Sequence, residues 1–293
     1  MINYSFIIPH KNCPDLLKRC VDSIPIRDDV QIIVVDDNSD DSEKPTVQRR
    51  GIEIVFLDVN NSKGAGRARN VGLEKAVGKW LLFPDSDDYY VEGFLDVLDG
   101  YLLKNVDVVY FNCEYRDGKT NELLSSIKLN KDFELYDESI KAKDRIKFHH
   151  NSPWTKMIRS DYVKQHNFRF EEVPNGNDIL FTFSLGSCTD KIEVITEPLY
   201  VYLRNKNSLT QKKQTEKEAF CVLLHTIQQN SFYKYIGYPE WRLPLSRKLL
   251  YYVKVCGLSF FFIFFNRLIT VIKHRDDFKK KVEYQTLYVR NTL

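Results

Sequence analysis

The sequence WLLFPDSDDYY, residues 80–90, places an apolar, strand-like run directly against a cluster of acids. Pro84 follows four apolar side chains, and Asp85, Asp87 and Asp88 come directly after it. Like charges repel at this spacing, so a buried strand that ends in clustered carboxylates needs a cation, a helix dipole or solvent to relieve the repulsion. Which of these is present depends on the segments that surround the cluster.

Short apolar runs alternate with helix-like segments through the first half of the chain. The runs that predict strands are residues 4–8, 31–35, 52–57, 80–83 and 106–111. The segments that predict helices are NCPDLLKRCVDSI, with a proline near its start, AGRARNVGLEKAVG and EGFLDVLDGYLLK. This alternation predicts an α/β fold, with a mostly parallel sheet covered by helices on both faces.

The chain of 293 residues is long for one ordinary domain, so we expect one large domain with an appendage. From about residue 112 the alternation weakens, and residues 214–236 have a helical, amphipathic pattern. We therefore expect a catalytic domain over residues 1–210, with halves at 1–111 and 112–210, and a helical, basic C-terminal region over residues 211–293.

The net charge of +3 is unevenly distributed along the chain. From Arg242 to the end, eleven Lys or Arg stand against three Asp or Glu, a balance of +8 that leaves −5 for residues 1–241. This asymmetry predicts an anionic partner for the C-terminal region, for which we expect a membrane surface and not a nucleic acid. The six cysteines form no Cys-x-x-Cys pair, and no secretory pattern follows Met1, so we expect reduced thiols and a cytoplasmic location.

Two acidic clusters directly follow predicted strands. Asp36 and Asp37 end the run QIIVV, and residues 85–88 end the run WLLF. Ligands of open parallel sheets bind beyond the carboxyl ends of the strands. The alternative is that these acids only form Asx turns or helix caps. This alternative explains residues 85–88 less well, because a helix cap needs one carboxylate and this segment has three. Oxygen ligands on a short turn suit Mg²⁺ or Mn²⁺, so the second cluster predicts a metal that binds a nucleotide diphosphate.

Over residues 1 to about 210 the sequence resembles the GT-A fold glycosyltransferases of the large inverting family two. The resemblance rests on five elements in order, FIIPHKN, VVDDNSDD, KGAGRARNVGLEKAVGKWLLFPDSDD, NDILF and YVYLRNKNSLT. It implies a Rossmann-like GT-A fold with a nucleotide-sugar site in the first half and an acceptor site in the second. The implied activity is an inverting, metal-dependent transfer from a UDP-sugar to a glycan or lipid-linked glycan, as in bacterial cell-surface polysaccharide synthesis.

The resemblance also implies roles for residues that would contact the nucleotide. By position, Pro9 lies beside the nucleobase, and Asp37 accepts from its imide N–H, which suits uracil. Gly64 falls in the glycine-containing loop. Arg69 falls in the Ala-Arg-Asn element beside the nucleotide.

In the acidic motif, the resemblance implies a separate role for each carboxylate. Asp85, with Ser86 beside it, would approach the ribose or the sugar. Asp87 would bind the Mn²⁺ or Mg²⁺ ion that bridges the phosphates.

The candidate general base is Asp178 in EEVPNGNDILFTFSL, because an inverting transfer needs a carboxylate to deprotonate the acceptor hydroxyl. A favourable charge at a helix N-terminus is the alternative. The resembled family usually has Glu-Asp at this point, whereas this chain has Asn177 before the aspartate. Glu171 and Glu172 are the next candidates for the base.

The segment NSPWTKMIRSDYV resembles the one that lines the acceptor pocket of the family. Trp154 offers an apolar face for a sugar ring, and Lys156 offers a positive charge. A core tryptophan and a solvent-exposed lysine are the alternative. His149 and His150 are adjacent, so their side chains rarely converge on one metal, and we expect them at the surface.

The C-terminal region contains the apolar run VCGLSFFFIFF, residues 255–265. A membrane-spanning helix needs about 20 mostly apolar residues, and Arg267 near the middle of such a span costs about 2.5 to 3.5 kcal/mol. We therefore expect a basic, aromatic helix that lies in the membrane interface, which would hold the protein at the inner face of the cell membrane. A buried helix or a dimer contact is the alternative.

Three other classes of protein share some features of this sequence. A dinucleotide-binding dehydrogenase should show Gly-x-Gly-x-x-Gly after its first strand, and IIPHKNCPD does not. A haloacid-dehalogenase-type phosphatase usually has its Asp-x-Asp on the first strand, whereas here the motif follows the fourth. A non-catalytic protein of the same fold that binds sugar nucleotides or acts as a membrane scaffold is the remaining alternative.

Overall fold

The structure is a computed structural model that describes residues 1–124, 128–204, 214–257, 268–273 and 275. Within these residues the chain forms one eight-stranded sheet flanked by helices. The strands are β1 (Tyr4–His10), β2 (Val30–Asp36), β3 (Ile52–Phe56), β4 (Trp80–Leu82), β5 (Tyr89–Tyr90), β6 (Val108–Asp117), β7 (Lys156–Arg159) and β8 (Ile192–Arg204). The helices are α1 (Pro14–Asp22), α2 (Ala65–Lys75), α3 (Phe94–Asp99), α4 (Lys128–Glu134), α5 (Ile140–His149), α6 (Ser160–Gln165), α7 (Ile179–Ser187), α8 (Glu216–Tyr235) and α9 (Leu245–Cys256).

The sheet has the strand order β3-β2-β1-β4-β7-β6-β8-β5. The first four strands in this order are parallel, as are β6 and β8, whereas β7 and β5 are antiparallel to their neighbours. The predicted α/β fold with a mostly parallel sheet is confirmed. The two antiparallel strands, β5 and β7, were not predicted. They are two and four residues long, which is too short to produce a recognisable apolar pattern in the sequence.

The core lies on both faces of the sheet because successive strand side chains point to opposite sides. Along β1, Phe6 and Ile8 pack with α1 and α3, whereas Ile7 packs with α2 and α7. The helix α1 begins at Pro14, as its sequence predicts, and buries its predicted apolar face through Leu17, among others. The helices therefore cover both faces of the sheet.

The helix α8 confirms the helical prediction over residues 214–236, although its buried face mixes apolar side chains with polar ones such as His225 and Gln229. It begins with a capping box between Thr215 and Glu218. Its Phe232 and Tyr233 pack with the α7 residue Phe183, so this helix is joined to α7 by an apolar cluster. The domain boundary at residue 210 stays a prediction.

None of the helices in the described part of the chain has the length and apolar character that a membrane crossing requires. Most of the apolar run, residues 258–265, lies outside the described residues, and so do the final residues of the element YVYLRNKNSLT. The helix α9 precedes this run and packs on α8 through Tyr252.

Candidate active site

The acidic cluster lies at one edge of the sheet, where β1, β2 and β4 end. These strands are parallel neighbours, so their carboxyl ends open at the same edge. Asp37 follows β2 at this edge, and Asp85, Asp87 and Asp88 follow β4. Each of the last three offers a carboxylate oxygen within 4.8 Å of the others. The structure therefore brings these three acids together, as the sequence predicts.

The side chain of Asp88 is fully buried. Its Oδ2 accepts from the Tyr200 hydroxyl at 3.0 Å, and its Oδ1 accepts from the Leu203 N–H at 2.8 Å. The Tyr200 oxygen also accepts from the Asp85 N–H at 3.0 Å. Burial raises the pKa of Asp88 well above its usual range, and the charge of Asp87 raises it further. The two hydrogen bonds that Asp88 accepts fix the acidic turn to β8.

Arg69 connects the acidic turn to the second half of the fold. From α2, its Nη2 donates to Asp85 Oδ1 at 2.5 Å, and its Nη1 donates to Asn177 Oδ1 at 2.8 Å. The guanidinium lies over the ring of Phe170, and the residue is buried. Asn177 directly precedes Asp178, so one buried cation joins the predicted donor side to the loop that carries the predicted base.

Asp37 holds the glycine-containing loop at the start of α2. Its Oδ1 accepts from the Lys63 N–H and its Oδ2 from the Gly64 N–H, both at 3.1 Å. Gly64 has a φ of +85°, a backbone conformation that favours glycine. Each carboxylate oxygen can accept a second hydrogen bond. Asp37 therefore fixes the loop and retains the capacity to accept from a ligand N–H.

The end of β1 is held by a buried histidine that follows Pro9. The Nδ1 of His10 lies 2.7 Å from Asp36 Oδ1, and its Nε2 accepts from the Cys13 N–H at 3.3 Å. Because Nε2 accepts, the neutral imidazole carries its proton on Nδ1. The Cys13 Sγ lies 3.2 Å from the Ser86 hydroxyl, so this turn contacts the acidic motif directly.

Asp178 lies at the N-terminal boundary of α7. Within the described residues its side chain makes no capping hydrogen bond to this helix. Burial raises the pKa of Asp178, and the positive charge of Arg69 opposes the rise. A raised carboxyl pKa brings the group closer to the range that suits a general base near neutral pH.

Trp154 packs on two tyrosines of β8. Its ring stacks on those of Tyr200 and Tyr202, with centroid distances of 5.0 and 5.7 Å. The side chain is 6% exposed, so little of the ring reaches solvent. Because Tyr200 also binds the acidic turn, Trp154 is connected to that turn through one side chain.

Lys156 is fully buried. Its Nζ donates to the backbone oxygens of His150 and Ser152, each at 2.6 Å. Burial lowers the pKa of Lys156 to about 7, and the carboxylate of Asp178 opposes this change. These contacts give Lys156 a structural role, and direct binding of an acceptor by its ammonium stays a prediction.

The adjacent histidines are not both at the surface, so that expectation is wrong. The Nδ1 of His149 lies 3.1 Å from Asp132 Oδ2, and the Nε2 of His150 lies 3.5 Å from the same oxygen. His150 is 3% exposed. A single carboxylate on α4 brings the two side chains together, which residue adjacency alone does not reveal.

The loop before Asp178 is fastened to α2 by contacts that the sequence does not predict. Asn70 and Phe170 exchange two hydrogen bonds between the amide side chain and the backbone, at 2.9 and 3.0 Å. The Nζ of Lys63 donates to Glu172 Oε2 at 3.0 Å. Burial raises the pKa of Glu172, but the charges of Lys63 and Arg67 outweigh this effect and lower the pKa. Glu172 is therefore a weaker candidate for the general base.

Tyr200 and His225 are the other residues of this region that sequence reasoning missed. Tyr200 begins the element YVYLRNKNSLT, which gave no role for its hydroxyl. His225 lies on α8, and its Nε2 is 3.3 Å from Glu171 Oε2. The signal that could have indicated His225 was its position as a polar residue on the buried face of a predicted helix.

Comparisons with known proteins identify the family of the chain. The family model described as "Glycosyl transferase family 2" matches residues 5–166. The chain is 23% identical over 258 residues to "Glycosyltransferase GlyA" of Streptococcus pneumoniae, covering 83% of this chain and 36% of that protein. It is 30% identical over 185 residues to "GalNAc(5)-diNAcBac-PP-undecaprenol beta-1,3-glucosyltransferase" of Campylobacter jejuni, covering 61% of this chain and 58% of that protein. The chain therefore spans less than two thirds of the length of either relative.

A solved structure shares the fold of this chain. The crystal structure of residues 1–349 of S. aureus TarS in complex with UDP-GlcNAc has a TM-score of 0.59 and 19% sequence identity. The match covers 89% of this chain and 73% of that chain.

Proposed function

The chain belongs to glycosyl transferase family 2 and has the GT-A fold, and on this basis we propose that it is an inverting, metal-dependent glycosyltransferase. The proposed donor is a UDP-sugar. The proposed acceptor is a glycan or lipid-linked glycan in bacterial cell-surface polysaccharide synthesis. The observation that carries the proposal is the Arg69 bridge from the acidic turn to the loop that bears Asp178.

The acidic turn offers the donor set that a hard divalent cation prefers. Asp85 and Asp87 have carboxylate oxygens within 4.8 Å of each other, on a turn between two strands. Mg²⁺ and Mn²⁺ are commonly held by one or two carboxylates together with substrate phosphates. Mn²⁺ or Mg²⁺ held mainly by Asp87 would neutralise negative charge on the leaving diphosphate.

The nucleotide is proposed to lie across the ends of β1 and β2. Pro9 would contact the base, and Asp37 would accept from the imide N–H of uracil while it holds the loop of Gly64. Ser86 and Asp85 would contact the ribose or sugar. The likeness to TarS, whose structure was solved with UDP-GlcNAc, supports this arrangement.

In the proposed reaction, Asp178 accepts the proton of the acceptor hydroxyl as its oxygen attacks the anomeric carbon. The new carbon–oxygen bond forms as the bond to the diphosphate oxygen breaks, and the electron pair leaves with the nucleoside diphosphate. Attack from the face opposite the leaving group inverts the anomeric configuration. The Arg69 charge favours the ionised form of Asp178, which is the form that can accept the proton.

The acceptor is proposed to approach beside Asp178, in the second half of the fold. Trp154 would contribute to the apolar side of the acceptor site, and Lys156 would shape the site through the backbone at residues 150 and 152. The name of the C. jejuni relative refers to an undecaprenol-linked substrate. This is consistent with a lipid-linked acceptor here.

The C-terminal region is proposed to bind an anionic membrane at its cytoplasmic face. On α9, Leu249 and Leu250 are exposed near the exposed basic residues Arg247 and Lys248. Apolar side chains beside basic ones are typical of helices that lie in a membrane interface.

A panel of UDP-sugars incubated with the protein and Mn²⁺ tests this function through the release of UDP. We expect slow hydrolysis of at least one donor in the absence of acceptor, and none in the presence of EDTA. Tight binding of UDP-sugars without turnover of any of them, with or without glycan acceptors, would instead favour the non-catalytic binding protein.

A further inference from the structure

The loop that carries the proposed base is closed by its own backbone. The N–H of Glu171 donates to the Asn177 oxygen at 3.0 Å, so the two ends of the loop lie side by side. Asn177 is held by Arg69 and directly precedes Asp178. A contact that fixes Glu171 therefore also fixes the residue next to the base.

One wall of this loop is the first turn of α2. A Cβ atom at Gly66 would overlap the backbone oxygen of Glu171, so the helix and the loop approach more closely than any side chain allows. The loop cannot move toward α2. Its position then depends on what lies on the other side.

A second wall of the loop is His225 on α8. The imidazole is 5% exposed, and its Nε2 lies 3.3 Å from Glu171 Oε2. A Cβ atom at Gly176 would overlap the Nδ1 of His225, and Gly176 has a φ of +75°. The loop therefore approaches both α2 and α8 closely, in each case at a glycine.

The face of α8 that carries His225 continues toward the acceptor side. Gln229, one helical turn further on, accepts from the Asn151 side chain at 3.3 Å. Phe232 follows and packs on the α7 residue Phe183. The helix thus contacts the base loop, the segment before Trp154 and α7 from one face.

We propose that His225 is a positioning residue that holds the loop 171–177, and with it Asp178, in place for the transfer. This inference rests on the proposed function. It assigns α8, which follows the predicted catalytic domain, to the catalytic machinery. His225 acts through Glu171 and Gly176 and does not touch the reacting atoms.

The test compares His225→Ala, His225→Gln and the matched control Leu223→Ala for donor turnover, UDP affinity and thermal unfolding. Leu223 is buried on α8 but packs toward α9, so its truncation destabilises the same helix without touching the loop. We expect His225→Ala to lower kcat by about 10- to 100-fold, since small misplacements of a catalytic group have effects of this size. UDP affinity should stay within about threefold, because the contacts of His225 are with Glu171 and Gly176 of the base loop.

The conservative variant and a double variant sharpen the result. The amide of His225→Gln can donate to Glu171, so it should recover most of the lost kcat. Gly176→Ala should lower kcat in the parent. A smaller factor is expected in the His225→Ala background, because the overlap with the imidazole is removed and only the close contact with Ile179 and the backbone strain at φ +75° remain there.

Several results would overturn the inference. One is a kcat of His225→Ala within about twofold of the parent, and another is an equal loss of kcat in Leu223→Ala. A loss of UDP affinity in His225→Ala that parallels the loss of kcat would also overturn it. So would effects of His225→Ala and Gly176→Ala on kcat that simply multiply in the double variant. Failure of the parent itself to turn over any donor would overturn the proposed function along with it. An active parent with unaffected variants overturns only the role of His225.

Discussion

Asp178 and Asp87 are both acidic residues of the proposed site, but their surroundings give them different chemistry. Asp178 lies at a helix boundary, where burial raises its pKa and Arg69 opposes the rise. Asp87 lies on a turn next to Asp85 and the buried Asp88. Substitution of each is therefore expected to impair a different step.

Asp178→Asn should lower the transfer rate by about 10² to 10⁴ while donor affinity is preserved, because only the proton acceptor is removed. Steady-state kinetics with a turned-over donor and UDP titration measure the two quantities. The exposed Asp161→Asn on α6 serves as the control. A rate within about threefold of the parent would place the base elsewhere, with Glu171 next in line.

Asp87→Ala should abolish Mn²⁺-dependent UDP binding and leave the unfolding temperature nearly unchanged, because the partly exposed turn carboxylate contributes little to the core. Titration calorimetry with UDP, with and without Mn²⁺, measures the effect. Asp88→Asn is the contrasting variant. It should lower stability by about 1 to 3 kcal/mol, since one of its two buried hydrogen bonds loses its acceptor. UDP and metal binding by Asp87→Ala at parental strength would show that the metal assignment is wrong.

Among the elements, α4 and α5 are joined by a carboxylate that binds two histidines. Burial raises the pKa of Asp132, but the hydrogen bond with His149 and the close approach of His150 outweigh this effect and lower the pKa to about 2. Burial lowers the pKa of His150 below its ordinary value of 6.5. Both groups bind protons less readily in the folded state, so their contributions to stability are present at neutral pH and are lost on acidification.

The free energy of unfolding should therefore fall as the pH decreases through about 6.5 and again between about 4 and 2. Asp132→Asn should flatten the second part of this decline, because the asparagine side chain does not titrate. Urea unfolding at a series of pH values compares the parent, this variant and the exposed Asp161→Asn. An unchanged slope below pH 4 in Asp132→Asn would show that the pair with the histidines does not carry the dependence.

The sequence predicted the elements that have a clear apolar period. It located β1, β2, β3 and β4 to within two residues at each end, and β6 started two residues later and extended to Asp117. The acidic cluster was predictable because carboxyl ends of adjacent parallel strands meet at one edge. The burial of Asp88 was not, because its partners Tyr200 and Leu203 lie more than a hundred residues away along the chain. The same holds for His225, whose loop partner Glu171 is distant in sequence.

For the whole molecule, the uneven charge predicts where the protein meets a membrane. The full chain should bind anionic vesicles through residues 242–293, and binding should weaken with salt without vanishing, because apolar burial adds to the charge contribution. Lys and Arg near an anionic surface contribute about 1 kcal/mol each, so Arg247→Glu with Lys248→Glu should weaken binding further. Co-sedimentation at low and high salt measures this.

Removal of residues 242–293 tests membrane binding less directly than charge reversal does. A chain that ends before Arg242 keeps Trp241 in its apolar cluster but exposes Phe220 and Leu223 of α8, which pack against Tyr252 of α9. It should still hydrolyse its donor slowly. If the full chain does not bind vesicles and the shortened chain is unfolded, residues 242–293 belong to the core.

The stereochemistry of turnover tests the central claim most directly, because it reports on donor cleavage and on base-assisted attack together. Proton NMR spectra recorded early in the reaction of an α-linked UDP-sugar with the protein and Mn²⁺, before the released sugar mutarotates, show the configuration of the product. The proposed mechanism predicts a β-configured sugar that accumulates with UDP in the parent and far more slowly in Asp178→Asn. An α-configured product, or no product from any donor in the presence of metal, would contradict it.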